Sequence, residues 1–152
     1  MFVGREKELK DLNNLYYTNK FQFPVIYGRR RVGKTALINE FIKGKDAIYF
    51  TGIETNAKQN LENFSKSIFN YTSGVNVNPV FSSFQEALEY IFMLAEKKRI
   101  VLAIDEYPYL ARSYGAIASI LQVLIDKHKD TSKLFLILCG SSMSFMEEKV
   151  LG

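Results

Sequence analysis

Cysteine is almost missing from this chain of 152 residues. Its one thiol, Cys139, excludes an internal disulfide and suits a reducing compartment. Placed at the end of an apolar strand pattern, it is expected to act as a buried small hydrophobe. Tryptophan is absent, and the 14% aromatic share comes from phenylalanine and tyrosine. Phe64, Phe84 and Phe92 lie on apolar helix faces and read as core. Long hydrophobic runs are absent as well. Leu134 to Cys139 spans six residues, against roughly 20 for a membrane-crossing helix. With the charged Arg5-Glu6-Lys7-Glu8 so early in the sequence, no signal peptide is expected. No membrane contact is expected, and the cytoplasm follows by elimination. Repeats, low-complexity tracts and linkers are missing, so residues 1–152 are expected to form one domain. The sole histidine, His128, sits between Lys127 and Lys129 near a helix end, where an exposed, idle side chain is expected. Neither sign of charge dominates: 20 basic residues face 16 acidic ones, for a net +4. That balance is compatible with a nucleic-acid partner without requiring one.

What the chain does have is Gly28-Arg29-Arg30-Arg31-Val32-Gly33-Lys34-Thr35. This is the pattern of a phosphate-binding loop: glycine, any four residues, Gly-Lys-Thr. The apolar Phe23-Pro24-Val25-Ile26-Tyr27 precedes it and reads as a buried strand. Ala36, Leu37, Phe41 and Ile42 follow at helical spacing, with Ala36 completing the candidate binding set. Strand, glycine loop and helix are the context in which the motif works. Gly28 and Gly33 let backbone N–H groups turn inward as a nest for anionic oxygens. The helix opening at Gly33 adds its positive dipole end. Lys34 is suited to the β- and γ-phosphates, and the Thr35 hydroxyl to Mg²⁺. One of Arg29, Arg30 and Arg31 is expected to face phosphate and the others to face solvent or acids.

The rest of the chain alternates strands and helices. A helix is expected to run to about Tyr17, with Leu9, Leu12, Leu15 and Tyr16 on one face. Ala47 to Thr51 reads as a second strand. Thr55 or Asn56 caps a helix bearing Leu61, Phe64, Ile68 and Tyr71. Ser83 with Glu86 makes a capping box for a helix reaching about Lys98. Ile100 to Ile104 reads as a buried strand that delivers Asp105 and Glu106 at its C-terminal end, with Pro108 ending the extended segment. A helix after Gly115 and a strand from Leu134 to Leu138 follow, closing on Cys139-Gly140-Ser141-Ser142. Such alternation predicts a three-layer α-β-α sandwich around a mostly parallel sheet. Ligands of these sheets lie beyond the C-terminal strand ends, where Gly28, Asp105 and Ser141 all fall. Asp105 suits Mg²⁺ opposite Thr35. Glu106 is the candidate base for an attacking water. Ser141 is suited equally to a γ-phosphate contact and to a helix N-cap.

Phe2-Val3-Gly4-Arg5-Glu6, the glycine loop, Asp105-Glu106-Tyr107-Pro108-Tyr109-Leu110 and Gly140-Ser141-Ser142-Met143-Ser144 together resemble the archaeal-type ATPases, P-loop NTPases of the AAA+/STAND group. The resemblance implies ATP or ADP and Mg²⁺ as ligands, with Val3 and Gly4 beside the adenine. It implies Walker A at Gly28 to Thr35, Walker B at Asp105 and Glu106, and a sensor at Ser141 or Ser142. It implies strand order 2-3-4-1. It also implies a fifth strand, a lid and often a C-terminal effector domain, none of which has a match here, so the chain reads as part of a longer protein. The expected activity is Mg-dependent ATP hydrolysis that powers or gates that protein, slow in this part alone. The alternative is a nucleotide-dependent switch or scaffold with negligible turnover. A small-molecule kinase fits less well, because it needs no water-activating base beside Asp105. A fifth strand missing beside Phe23 to Tyr27 would leave that strand at the sheet edge. Self-association there, or cover by the chain's own terminal segment, is therefore expected.

Overall fold

The computed structural model describes residues 6–27, 33–73 and 79–140. Their element order is α1 (Glu6–Tyr16), β1 (Val25–Tyr27), α2 (Lys34–Ile42), β2 (Ala47–Thr51), α3 (Ala57–Ser73), α4 (Phe84–Leu94), β3 (Ile100–Asp105), α5 (Tyr107–Ser113), α6 (Ile117–His128) and β4 (Leu134–Gly140). The two most continuous apolar runs, β3 and β4, form the middle of the sheet and are buried at every residue. Burial on both faces explains why they read as unbroken hydrophobic stretches. All pairings are parallel, in the order β1-β4-β3-β2. Read from the other edge this is the 2-3-4-1 order that the resemblance implies.

Side-chain alternation splits the core into two layers. Leu102, Ile104, Leu136 and Leu138 join Ile48 and Phe50 against α3, α4, α5 and α6. Val101, Ala103, Phe135, Ile137 and Cys139 face the other way, against Leu12 of α1 and Leu37, Ile38 and Phe41 of α2. At the N-terminal end of the sheet, Arg99 ties distant pieces together. Its guanidinium donates to the carbonyls of Leu15, Tyr16, Lys20 and Lys133 at 3.3, 3.1, 2.5 and 2.6 Å. It also lies over the rings of Tyr16 and Phe135, 5.2 and 5.1 Å from their centroids.

Several elements differ from expectation, each for a physical reason. β1 is shorter than Phe23 to Tyr27, because Pro24 has no N–H to give the ladder; only its carbonyl pairs, accepting from Leu138 N at 3.3 Å. Among the described residues β1 is hydrogen-bonded to β4 alone. Pro108 does not merely end an extended segment. It sits in the first turn of α5, where a missing N–H costs nothing. Asn56 is the cap before α3, its Oδ1 accepting from Gln59 N at 2.8 Å. Ser83 caps α4 through Glu86 N at 3.1 Å, while the Glu86 carboxylate takes the Ser82 hydroxyl at 2.6 Å. His128 is buried, not exposed. Its Nε2 meets Glu89 Oε2 at 2.7 Å and its ring stacks on Phe92 at 5.5 Å. The stripe Ile117, Leu121, Leu124, His128 carries it into the face that α6 turns to α4. No helix of the described residues is long and apolar enough to cross a membrane.

Candidate functional site

The start of α2 is built for an anion. Gly33 has φ 94° and ψ −32°, a left-handed-side conformation that side chains resist. It lets the chain turn directly into the helix, where its carbonyl accepts from Leu37 N at 2.9 Å. Gly33 at the N-cap has no side chain to cap this helix, and a helix start offers first-turn N–H groups and its positive dipole end to an anion. Lys34, the first helical residue, is only 2% exposed. A charge so withdrawn from water needs compensation. Thr35 and Ala36 follow on the exposed side of the turn.

Strand parity brings the metal-suited groups together. Asp105 continues the row of Val101 and Ala103, and so faces α2. In the neighbouring strand Tyr49 stands opposite Ala103, and Cys139 of β4 faces the same layer. The Thr35 hydroxyl donates to Asp105 Oδ2 at 2.9 Å, linking residues 70 positions apart. The Tyr49 hydroxyl donates to the same oxygen at 2.5 Å, and Asp105 Oδ1 accepts from the Glu106 N–H at 2.9 Å. Burial, then the hydrogen bond to Asp105, pushes the Tyr49 hydroxyl well above its ordinary range. Burial followed by the negative Asp105 does the same to the Cys139 thiol. Cys139 is thus the buried hydrophobe expected, with the added feature that it lies against the carboxylate.

Glu106 is the one residue at this corner in the left-handed region, at φ 53° and ψ 41°, and it is 8% exposed. A non-glycine residue there carries strain of about 1–3 kcal/mol. The surroundings hold it in place. Gly52 donates its N–H to Asp105 O at 2.9 Å. A Cβ on Gly52 would lie 2.8 Å from the Glu106 carbonyl oxygen and 3.1 Å from Leu110 N. Asn60, fully buried, bridges the segment after β2 to α5. Its amide spans Ile53 N and O at 3.2 Å each and Ser113 Oγ at 3.0 Å.

The described residues therefore unite Lys34, Thr35, Asp105 and Glu106, and place Gly33 and Ala36 beside them. Val3, Gly4, Gly28, Arg29, Arg30, Arg31, Val32, Ser141 and Ser142 lie outside the described residues. Mg²⁺ fits what is present. Thr35 and Asp105 are hard oxygen donors in mutual contact, and Mg²⁺ in such sites takes one or two protein oxygens plus phosphates and water. The described residues hold no cluster of three His, Cys, Asp or Glu suited to a metal, and this mode needs none. Tyr49 and Asn60 were not evident from sequence. Finding Tyr49 requires the β2–β3 register. Asn60 offers one local signal, a polar residue in line with the apolar Phe64 and Ile68.

A parallel sheet with its phosphate-type turn and its acidic strand end on one side defines a P-loop ATPase fold, and solved structures agree. The Walker-type ATPase of Pyrococcus abyssi superposes with a TM-score of 0.70 at 20% identity, over 99% of this chain and 48% of that one. The ORC2 protein of Aeropyrum pernix, solved as ADPNP–ADP complexes, gives 0.67 at 20% identity, over 98% and 44%. Residues 2–151 match the ATPase domain found predominantly in Archaea, and the chain belongs to that family. An uncharacterized protein of Methanocaldococcus jannaschii is 40% identical over 151 residues, which is 99% of this chain and 32% of the relative. An uncharacterized ATP-binding protein of the same organism is 49% identical over 45 residues, 30% of this chain and 76% of its own length. The chain thus spans about a third of the first of these relatives.

Proposed function

We propose that this domain binds ATP with Mg²⁺ and hydrolyses the γ-phosphate, driving or gating a longer protein in the manner of AAA+/STAND ATPases. The observation that carries the reading is the meeting of Thr35 and Asp105 at 2.9 Å beside the buried Lys34. Phosphate oxygens are the natural partners of the first-turn α2 amides, and the Lys34 ammonium neutralises them as a point charge. Thr35 Oγ1 and the Asp105 carboxylate would hold the metal, which when bound would supply neutralising charge to the phosphates. Glu106 orients the attacking water and accepts its proton. The strained backbone of Glu106 is consistent with a side chain held for a task. Ser141 is assigned the γ-phosphate contact, and Val3 and Gly4 the adenine.

Calorimetry with ATP, ADP and Mg²⁺ tests the binding half: Lys34→Ala is expected to abolish it, and equal affinity in wild type and variant would sink the assignment. Glu106→Gln in the full-length protein tests the chemistry. It is expected to keep ATP binding and lose turnover, and hydrolysis at the wild-type rate would remove Glu106 from its role.

A further inference from the structure

We infer that Tyr49 is a positioning residue for the metal-holding carboxylate, acting through its hydroxyl on Asp105. This rests on the proposed metal site. Three groups from three parts of the fold fix the Asp105 carboxylate: Tyr49 from β2, Thr35 from α2 and the backbone N–H of Glu106. The Tyr49 bond, at 2.5 Å, has the length of a charge-assisted O–H···O⁻ contact. The phenol and the Thr35 hydroxyl share Oδ2, while the backbone holds Oδ1. The carboxylate therefore cannot rotate about its Cβ–Cγ bond without breaking a bond at one oxygen or the other. Each carboxylate oxygen has about two acceptor sites, so two donors on Oδ2 turn that oxygen away from direct coordination.

Packing alone does not require the hydroxyl. The Tyr49 ring sits half-buried against the α1–α2 side of the core, a role phenylalanine would fill. Only the oxygen reaches the carboxylate. Partners that orient a metal ligand in this way typically contribute about 10–100-fold to metal affinity.

The test uses the full-length protein with a fluorescent ADP analogue, titrated with Mg²⁺ and separately in EDTA. Electron paramagnetic resonance of bound Mn²⁺ gives a second readout. Tyr49→Phe is expected to leave metal-free nucleotide affinity near wild type and to raise the Mg²⁺ concentration for half-maximal tightening about tenfold or more. Adding Tyr49→Phe to Asp105→Asn is expected to change the Mg²⁺ requirement no further, since the phenol acts through that carboxylate. An unchanged Mg²⁺ requirement would overturn the inference. So would equal weakening with and without metal, additive effects in the double variant, or failure of Tyr49→Phe to fold, each of which makes the hydroxyl a packing element. A wild-type protein that shows no Mg²⁺ dependence would instead refute the metal site itself.

Discussion

Gly52→Ala is a small change that should reach the chemistry without touching a ligand. The new Cβ would stand 2.8 Å from the Glu106 carbonyl oxygen, 3.1 Å from Leu110 N and 3.3 Å from Leu110 Cβ. Ordinary contact needs about 3.5 Å, so the corner between β3 and α5 must retreat by roughly 0.7 Å. The atoms in the way are backbone and cannot swing aside as a side-chain tip would. Overpacking of this kind costs about 1–3 kcal/mol of stability. Displacement of a positioned catalytic group by about 1 Å costs up to about 10²-fold in rate. Turnover in the full-length protein should thus fall about tenfold or more, while ATP affinity, which the proposed site assigns to α2 and Lys34, stays close to wild type. Steady-state phosphate release, nucleotide calorimetry and urea unfolding would be run on the same preparation. Wild-type turnover in a folded Gly52→Ala protein would refute the idea that this contact sets the position of Glu106.

Arg99→Lys keeps the charge but loses the fork that reaches four carbonyls. A loss of about 2–3 kcal/mol in urea unfolding is expected, and a change below about 0.5 kcal/mol would mean the bonds contribute nothing net. Glu89→Gln probes acid behaviour. Lys127 first, then His128, hold the Glu89 carboxyl below its ordinary value of 4.5, so its contribution exists above that pH and disappears as the pH falls through the depressed value. The variant should be about 1 kcal/mol less stable at neutral pH, discounted for partial exposure, and should converge on wild type in acid; a constant gap would contradict the assignment. Among the described residues β1 is paired on one side only, and an unpaired strand flank is a template for another strand. Light scattering on the 152-residue chain should show association that grows with concentration, and a monomer at every concentration would refute it.

The sequence makes the phosphate turn and the acidic strand end readable because their chemistry fixes residue type at fixed spacing. Gly33, Lys34 and Thr35 are local to one turn, and Asp105 closes an unbroken apolar strand. What remained hidden depends on pairing across the chain. Tyr49 looks like any strand tyrosine until the register puts it on the Asp105 side of the sheet. α5 was hidden because Pro108 signals both the end of a strand and the first turn of a helix, and local sequence does not choose between them. The lysines beside His128 point to an exposed side chain, whereas its spacing from Leu121 and Leu124 puts it on the inward face.

The position of β4 also sets a timetable. β1 pairs with no described strand except β4, which lies more than a hundred residues further along the chain. At synthesis rates of about 5–20 residues per second, β1 would leave the ribosome roughly 5–20 s before its partner exists. β3 and β4 are nearer neighbours, separated by α5 and α6, and their layer with α4 can form as the chain emerges. The helix that carries Lys34 and Thr35 must then wait for β4, because its floor is made partly of Phe135, Ile137 and Cys139. Among the described residues, the floor beneath Lys34 and Thr35 is thus complete only once β4 has emerged.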